Sequence, residues 1–169
     1  HVITMNADGS HVRVAVSAER WAQGGHHPNW WPDGEHVLMN LNTQGDGLRF
    51  ARLALDGSTC ETLVPGIRGS GHPTLHPDGR YLLTDAYVDE PLAFGDGTAP
   101  IRLIDLGNGT ETQLVRIGIQ PLAERSTGAL RVDPHPAWDR SHTRIAFNAC
   151  PDGRRRVFVA DLDAILRAG

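Results

Sequence analysis

The sequence predicts an all-β protein and, within that class, a β-propeller of four-stranded blades. Two observations predict this fold. The dipeptide His-Pro recurs in three segments that share one frame, in which it is followed by the same residue types at the same spacing. Short apolar segments alternate with glycine-containing turns, and repeats of roughly forty residues built in this way are typical of propeller blades. The chain holds about three and a half such units, so we expect it to form part of a ring of roughly six to seven blades.

Four columns of the repeat match across its three copies. The His-Pro dipeptide comes first and a turn follows five residues later, Pro-Asp-Gly in two copies and Arg-Ser-His in the third. An apolar residue lies ten residues after the histidine, and a small polar residue lies thirteen after it. The dipeptides are His27-Pro28, His72-Pro73 and His135-Pro136, and the small polar residues are Asn40, Asp85 and Asn148.

Each copy provides its strands in a fixed order. The first strand follows His-Pro, and the Pro-Asp-Gly turn joins it to the second, because glycine adopts the positive φ that such turns need. Further strands follow after Asp-Gly or Asn-Gly turns. In chain order the predicted strands cover residues 29–31, 36–40, 48–55 and 59–64, then 74–76, 81–85, 100–106 and 111–117, then 137–139, 144–148 and 156–162.

This strand pattern divides the chain into four parts. Residues 2–17 predict the last two strands of a blade, and residues 163–169 predict a short helical tail. We therefore expect the end of one blade at 1–25, a complete blade at 26–70, a blade with insertions at 71–132 and an incomplete blade at 133–169. Because a propeller closes with roughly four to eight blades, we expect a missing N-terminal half or a second chain to complete the ring.

The strand order places the three histidines at one end of the barrel. In a four-stranded blade, the connection into the first strand and the connection out of the second lie at the same end, so each histidine should lie near the small polar residue of its copy. The first strand is innermost, which puts the histidines around the mouth of the central channel. Both long insertions, 86–99 and 118–133, fall on this face, and insertions on one face of a repeat array mark its binding face.

Composition excludes several classes of function. A net charge of −4 without a long basic run argues against a nucleic-acid partner. No apolar run approaches the roughly 18 residues that a membrane span needs. All 16 basic residues are arginine, so no lysine can act as a base or form a Schiff base. The two cysteines, Cys60 and Cys150, are too few for a disulfide framework, and we expect free thiols.

Three imidazoles around one channel mouth can bind a divalent metal ion. His26 adds a fourth imidazole beside His27, and Asp133, two residues before His135, can add a carboxylate. The same residues also fit a structural role, because a polar residue at the start of an inner strand commonly hydrogen-bonds neighbouring backbone, and the proline after it favours an extended conformation. From this pattern, the histidines can form a metal or acid–base site, or they can have a structural role.

Further polar residues lie on the predicted binding face. Asp85 and Tyr87 open the first insertion, where they can contact sugar hydroxyls or cap a turn. Arg131 lies two residues before Asp133, and its planar guanidinium suits a carboxylate ligand, with a structural ion pair as the alternative. We predict that the residues in contact with a substrate are Arg131, Asp85, Tyr87 and His26.

Three segments of the chain resemble a known family. They are Gly25-His-His-Pro-Asn-Trp-Trp-Pro-Asp-Gly34, Gly71-His-Pro-Thr-Leu-His-Pro-Asp-Gly79 and Asp133-Pro-His-Pro-Ala-Trp138. The motif His-Pro-x-Trp-x-Pro-Asp-Gly before an apolar strand resembles the TolB-like propeller repeat. More narrowly, the segments resemble the C-terminal half of the oligogalacturonate lyases, a family of seven-bladed propellers. The resemblance covers nearly the whole chain.

This resemblance implies an activity and a set of roles. Oligogalacturonate lyases cleave uronate linkages by β-elimination, with Mn²⁺ held by histidines and a glutamine at the channel mouth. By position, His27 matches the family's proposed base and His72 matches a metal ligand. Asp133 and His135 match the ligand pair of a later blade. The implied cofactor is Mn²⁺ or another divalent metal, and the implied partner is an acidic oligosaccharide.

The chain departs from the family pattern at two positions. Asp133 stands where a histidine is expected, and no glutamine matches around Leu130. A carboxylate in place of an imidazole changes the charge of the site, and this change affects which substrate the site accepts and whether it is active. The competing interpretation is a non-catalytic TolB-like propeller that binds a protein or a glycan, and an intact His/Asp metal cluster distinguishes the two.

Overall fold

The computed structural model describes residues 1–119 and 132–168 of the chain. These ranges contain thirteen β-strands and two short helices. The strands form four antiparallel sheets of two, four, four and three strands, each in sequential order. The predicted all-β class with four-stranded antiparallel blades is confirmed. None of the described helices is long and apolar enough to cross a membrane.

Each sheet is a run of neighbouring strands. The first sheet pairs β1 (Val2–Thr4) with β2 (Arg13–Val16), and helix α1 (Ala18–Trp21) follows. The second contains β3 (Gly25–Trp30), β4 (His36–Leu41), β5 (Arg49–Ala54) and β6 (Cys60–Leu63). The third contains β7 (Thr74–Leu75), β8 (Tyr81–Asp85), β9 (Thr98–Asp105) and β10 (Thr110–Gly118). The fourth contains β11 (Ala137–Trp138), β12 (Arg144–Ala149) and β13 (Arg156–Asp161), and helix α2 (Asp163–Ala168) follows.

The turn after the first strand of each blade has one conformation with two sequences. In the second sheet, the Gly34 N–H donates to the Trp31 carbonyl at 3.0 Å, and Gly34 has a φ of 71°. In the fourth sheet, the His142 N–H donates to the Asp139 carbonyl at 3.1 Å, and His142 has a φ of 55°. The third copy therefore keeps the turn although the Pro-Asp-Gly motif is lost.

The core lies between neighbouring sheets. Leu38 and Met39 on β4 are both fully buried, and they pack into clusters on opposite faces of the second sheet. Burial of both faces explains why the strand is apolar without polar alternation. The cluster between the second and third sheets contains Leu38, Phe50, Leu75, Leu82 and Ile104. The cluster between the third and fourth contains Tyr81, Leu83, Ile101, Leu103, Ile145, Phe147 and Leu162.

Two elements differ from the prediction. Helix α1 lies between the first two sheets, where the sequence pattern predicts none, and Ser17 caps it by accepting a hydrogen bond from a backbone N–H of the first turn at 3.3 Å. Strand β3 begins at Gly25, ahead of His-Pro rather than after it, because its first two residues pair with the end of β4. A register shift then separates His26 from Asn29.

Candidate metal and acid–base site

The His-Pro segments of the second, third and fourth sheets meet in the structure. The imidazole centroids of His27 and His72 are 4.1 Å apart, and those of His72 and His135 are 3.3 Å apart in a stacked arrangement. His26 lies beside them, with its ring centroid 4.7 Å from that of His27. Because the segments belong to different sheets, the packing of the blades assembles this cluster.

The backbone at two of these histidines is strained. His27 has a φ of 53° and His135 a φ of 44°, in the left-handed region that costs a residue with a side chain about 1–2 kcal/mol. In the third sheet the positive φ falls instead on Gly71, one residue before His72. Strained backbone of this kind is concentrated at functional sites, where the surrounding structure holds it in place.

Asp85 connects the His72 and His135 segments. Its Oδ1 accepts a hydrogen bond from the His72 backbone N–H at 2.7 Å, and its Oδ2 accepts one from the His135 backbone N–H at 3.0 Å. Both oxygens also lie 3.0 Å from Nδ1 of His72. With Nδ1–H directed at a carboxylate, the lone pair of the His72 ring is on Nε2, an arrangement typical of metal-binding histidines.

The Asp85 carboxylate is fully buried, and Gly71 packs so closely that an added Cβ would overlap Oδ1. A buried charge is costly unless an opposite charge and hydrogen bonds compensate it. Within residues 1–119 and 132–168 its ion-pair partner is His72, and no arginine there pairs with it. The imidazole of His72 and the backbone N–H groups of His72 and His135 are therefore groups that stabilise this carboxylate.

Three side chains can converge on one metal ion. One ligand atom each from His72, Asp133 and His135 lies within 4.8 Å of the other two. Asn148 orders the Asp133 segment, because its Nδ2 donates to the Asp133 carbonyl at 3.3 Å and its backbone N–H donates to the Pro134 carbonyl at 2.8 Å. Imidazole and carboxylate ligands together suit divalent metals of the first transition row.

A histidine–tyrosine pair adjoins this cluster. Nε2 of His27 is 2.5 Å from the Tyr87 hydroxyl, and the same hydroxyl is 3.5 Å from Nε2 of His72. Burial lowers the pKa of His27 to about 4, and repulsion from the neighbouring imidazoles, His72 foremost, adds to the effect. The lowered pKa keeps His27 neutral at neutral pH, which is the form that accepts a proton.

The structure brings most of the predicted site residues to this place. His26 lies at the edge of the cluster, where burial lowers its pKa and its Nδ1 accepts a hydrogen bond from Nδ2 of Asn40 at 3.3 Å. Tyr87 faces the histidines. Asp85 has no exposed surface, and both of its oxygens are engaged by histidines, so its position suits orientation of the histidines rather than contact with a sugar. Arg131 lies outside the described residues.

Two cavities open at this face. One, of about 300 Å³, is lined by the three His-Pro dipeptides and the residues directly after them. The other, of about 410 Å³, is lined by Asp133 and His135 together with Asn148, Arg155 and Arg156. The sequence pattern singles out Asn148 through its place in the repeat. The sequence pattern gives no reason to select Arg155 and Arg156, because only the fold of the turn that leads into β13 brings them to the cavity.

No protein-family model matches the chain, and no curated protein matches it in sequence. Solved structures do match it. An oligogalacturonate lyase in complex with manganese superposes with a TM-score of 0.70 at 17% identity, over 95% of this chain and 40% of the other. An oligogalacturonate lyase from Vibrio parahaemolyticus gives 0.66 at 18% identity, over 94% and 41%. TolB from Acinetobacter baumannii gives 0.66 at 17% identity, over 94% and 34%.

The matching structures are all larger than this chain. The chain spans between 34% and 41% of the length of these three proteins. TolB and oligogalacturonate lyase are both TolB-like propellers, and the four sheets of this chain superpose on part of each. The chain therefore has the β-propeller fold that TolB and oligogalacturonate lyase share.

Proposed function

We propose that this chain carries an active site that cleaves an acidic, uronate-containing oligosaccharide by metal-assisted β-elimination. The observation that carries the proposal is the placement of three metal-ligand side chains, those of His72, Asp133 and His135, next to the His27–Tyr87 pair. β-Elimination from a uronate needs a cation for the carboxylate and a base for the neighbouring proton. The likeness to an oligogalacturonate lyase in complex with manganese supports the same chemistry.

The residues that would hold Mn²⁺ or another divalent ion are His72, Asp133 and His135. The buried Asp85 fits this role, because a cation on Nε2 of His72 compensates its charge through the imidazole. When bound, the ion neutralises the uronate carboxylate and so makes the proton on C5 more acidic. Asp85 in turn keeps the His72 ring in the tautomer that presents Nε2.

The His27–Tyr87 pair then removes the proton from C5 and supplies a proton to the leaving oxygen. Nδ1 of His27 takes the C5 proton, the electrons of the C5–H bond form the C4=C5 double bond, and the C4–O bond to the leaving sugar breaks. The leaving oxygen takes the hydroxyl proton of Tyr87. The His27 imidazolium then returns its Nε2 proton to the tyrosinate across their 2.5 Å contact. Both residues are uncharged again, and proton exchange with water restores the starting tautomer of His27.

Metal content tests the first part of the proposal. Protein produced with Mn²⁺ should contain about one Mn²⁺ per chain by elemental analysis, and His72→Ala and His135→Ala should each lose most of it, since each removes one of the few ligands. His11→Asn is the matched control, because His11 is an exposed histidine outside the cluster. Equal metal content in the parent and both alanine variants would rule out this site.

Product formation tests the second part. The C4=C5 double bond of the product is conjugated with the carboxylate, so ultraviolet absorbance should rise when the Mn²⁺-loaded protein acts on oligogalacturonates or another uronide. His27→Asn, in which asparagine tolerates the positive φ, should reduce the rate about 100-fold or more while the Mn²⁺ content stays unchanged.

The second candidate function is a non-catalytic propeller that binds a protein or a glycan. The likeness to TolB favours it, because TolB matches this chain at the same identity as a lyase does. Absence of an absorbance change across a panel of uronides, with Mn²⁺ bound, would favour this candidate over the lyase.

A further inference from the structure

A buried asparagine lies behind His26, at the repeat position that Asp85 occupies in the next copy. Asn40 has no exposed surface, and its Nδ2 donates to the Gly71 carbonyl at 2.8 Å. The same Nδ2 lies 3.3 Å from Nδ1 of His26. Both copies therefore place a buried side chain against an imidazole, an amide in the first copy and a carboxylate in the second.

The Gly71 carbonyl fixes the orientation of the Asn40 amide. A carbonyl oxygen has no hydrogen of its own, so the group that faces it has to be the NH₂ of the amide. The amide oxygen is turned toward Gly69, where an added Cβ would lie 2.8 Å from it, and it has no hydrogen-bond partner within residues 1–119 and 132–168. Rotation of the amide by half a turn would bring two buried acceptors together, which is costly because neither could be satisfied.

The amide in turn selects the tautomer of His26. An NH₂ group donates, so Nδ1 of His26 accepts with its lone pair and the ring hydrogen lies on Nε2. Burial lowers the pKa of His26, so the ring is neutral at neutral pH. His72 has the opposite arrangement, because the Asp85 carboxylate accepts from Nδ1–H and leaves a lone pair on Nε2.

We infer that Asn40 is a positioning residue that makes His26 a hydrogen-bond donor in the histidine cluster, through Nε2–H. With its hydrogen on Nε2, this ring can neither bind a metal ion nor accept a proton at that atom. In the described part of the chain no group accepts a hydrogen bond from Nε2 of His26, and the ring is half-buried beside His27 and Tyr87. The inference rests on the proposed function only for the acceptor of this hydrogen bond, which is an oxygen atom of the bound uronide.

Nitrogen NMR of metal-free protein with isotope-labelled histidine measures the tautomers directly. The spectra are recorded at about pH 8, where an imidazole is neutral and its protonated nitrogen has a different shift from the nitrogen with the lone pair. The hydrogen should lie on Nε2 in His26 and on Nδ1 in His72, and the His26 signals are assigned by their loss in His26→Gln. A hydrogen on Nδ1 of His26 in the parent protein would overturn the inference.

Asn40→Asp tests the positioning role. A carboxylate accepts rather than donates, so the hydrogen of His26 should move to Nδ1, as in His72. Asn42→Asp is the matched control, because the Asn42 amide hydrogen-bonds backbone groups only, and it should leave the hydrogen on Nε2. An unchanged His26 tautomer in Asn40→Asp would exclude Asn40 as its cause. If Asn40→Asp does not fold, the spectrum of the parent still decides.

Substitutions of His26 test the donor. Glutamine keeps an N–H donor on a side chain of similar reach, and methionine has none. In calorimetric titration of Mn²⁺-loaded protein with galacturonate, His26→Met should weaken binding about threefold to tenfold, the contribution of one neutral hydrogen bond, and His26→Gln should restore most of it. Both variants should keep the Mn²⁺ content of the parent, because His26 is not a ligand.

The outcomes separate this inference from the proposed function. Equal losses of galacturonate affinity in His26→Met and His26→Gln would overturn the donor role, and so would a loss of Mn²⁺ in either variant. A parent protein that binds neither Mn²⁺ nor galacturonate would overturn the proposed function. The role of Asn40 is tested without either ligand, because the tautomer of His26 is measured in the metal-free protein.

Discussion

Asp85 shows how a single residue organises the candidate site. One buried carboxylate accepts backbone hydrogen bonds from His72 and His135, which belong to segments entering two different sheets. The same carboxylate fixes which nitrogen of His72 is available to a ligand. The geometry of the histidine pair and its capacity to bind a cation therefore depend on one negative charge.

Asp85→Asn tests this dependence. The amide nitrogen cannot accept a hydrogen bond, so one buried N–H loses its partner and the free energy of unfolding should fall by about 1–3 kcal/mol. Loss of the charge behind His72 should weaken Mn²⁺ binding about 10- to 100-fold. Urea denaturation and calorimetric titration with Mn²⁺ measure the two effects. Asp89→Asn, at an exposed carboxylate nearby, should change neither. Unchanged Mn²⁺ affinity in Asp85→Asn would exclude Asp85 from the metal site.

Arg80 and Asp105 form a second charge pair, away from the site. Nε and Nη2 of Arg80 donate to the two oxygens of Asp105 at 3.0 and 2.6 Å. These hydrogen bonds hold the pKa of Asp105 below its usual value of 3.8. The folded state therefore binds this proton less tightly than the unfolded state. The pair stabilises the fold above the unfolded pKa, and the stabilisation is lost as pH falls through the lowered pKa.

Arg80→Gln should lower the free energy of unfolding at neutral pH only slightly, because solvent screens a pair whose arginine is partly exposed. The difference from the parent should shrink as the pH falls from the unfolded pKa of Asp105 through its lowered pKa in the folded parent, because Asp105 then becomes protonated in both proteins. Urea denaturation at a series of pH values measures it. Arg116→Gln, which removes a more exposed pair with Asp96, should have a smaller effect. A difference that grows in acid would contradict this account.

Turns of two different sequences adopt the same backbone conformation in this chain. Pro-Asp-Gly and Arg-Ser-His give the same backbone, with positive φ at Gly34, Gly79 and His142. The two strands joined by the turn impose that conformation, and glycine meets it without strain. The Pro-Asp-Gly motif thus lowers the energy of a turn that the strand pairing demands in any case.

A matched pair of glycine substitutions tests this view. Gly34→Ala should destabilise the fold by about 1–2 kcal/mol, because an added Cβ meets open space and the cost comes from the positive φ alone. Gly66→Ala also meets open space but has no positive φ, so it should be neutral or stabilise by up to about 1 kcal/mol. Thermal and urea denaturation measure both. Equal effects of the two substitutions would mean that φ does not set the cost.

In the whole molecule, the packing of sheets sets the distances within the site. Strands β4, β8 and β12 each carry the small polar residue of the repeat near their ends, and their buried side chains fill the core between sheets. Interiors pack at high density, so neighbouring blades stand at a nearly fixed separation. That separation brings the histidines of successive copies close enough for ring contact.

Much of this arrangement can be predicted from the repeat. The strands, their order and the common face of His27, His72 and His135 follow from spacing, since a strand and its turns are specified by neighbouring residues. Helix α1 cannot be predicted from the sequence, because its four residues are too few to show a helical period. The contact between His27 and Tyr87 cannot be predicted either, because sixty residues separate the two in the chain.

Residue spacing along the chain predicts the repeated blades, the face on which the histidines lie and the residue types available for metal binding and proton transfer. The burial of Asp85 behind His72, the contact of Tyr87 with His27, and the cavity that Arg155 and Arg156 share with Asp133 follow instead from how the sheets pack. Strand and turn propensities act between neighbours in the chain, whereas burial, the tautomer of an imidazole and the lining of a cavity depend on which sheets pack together and how closely.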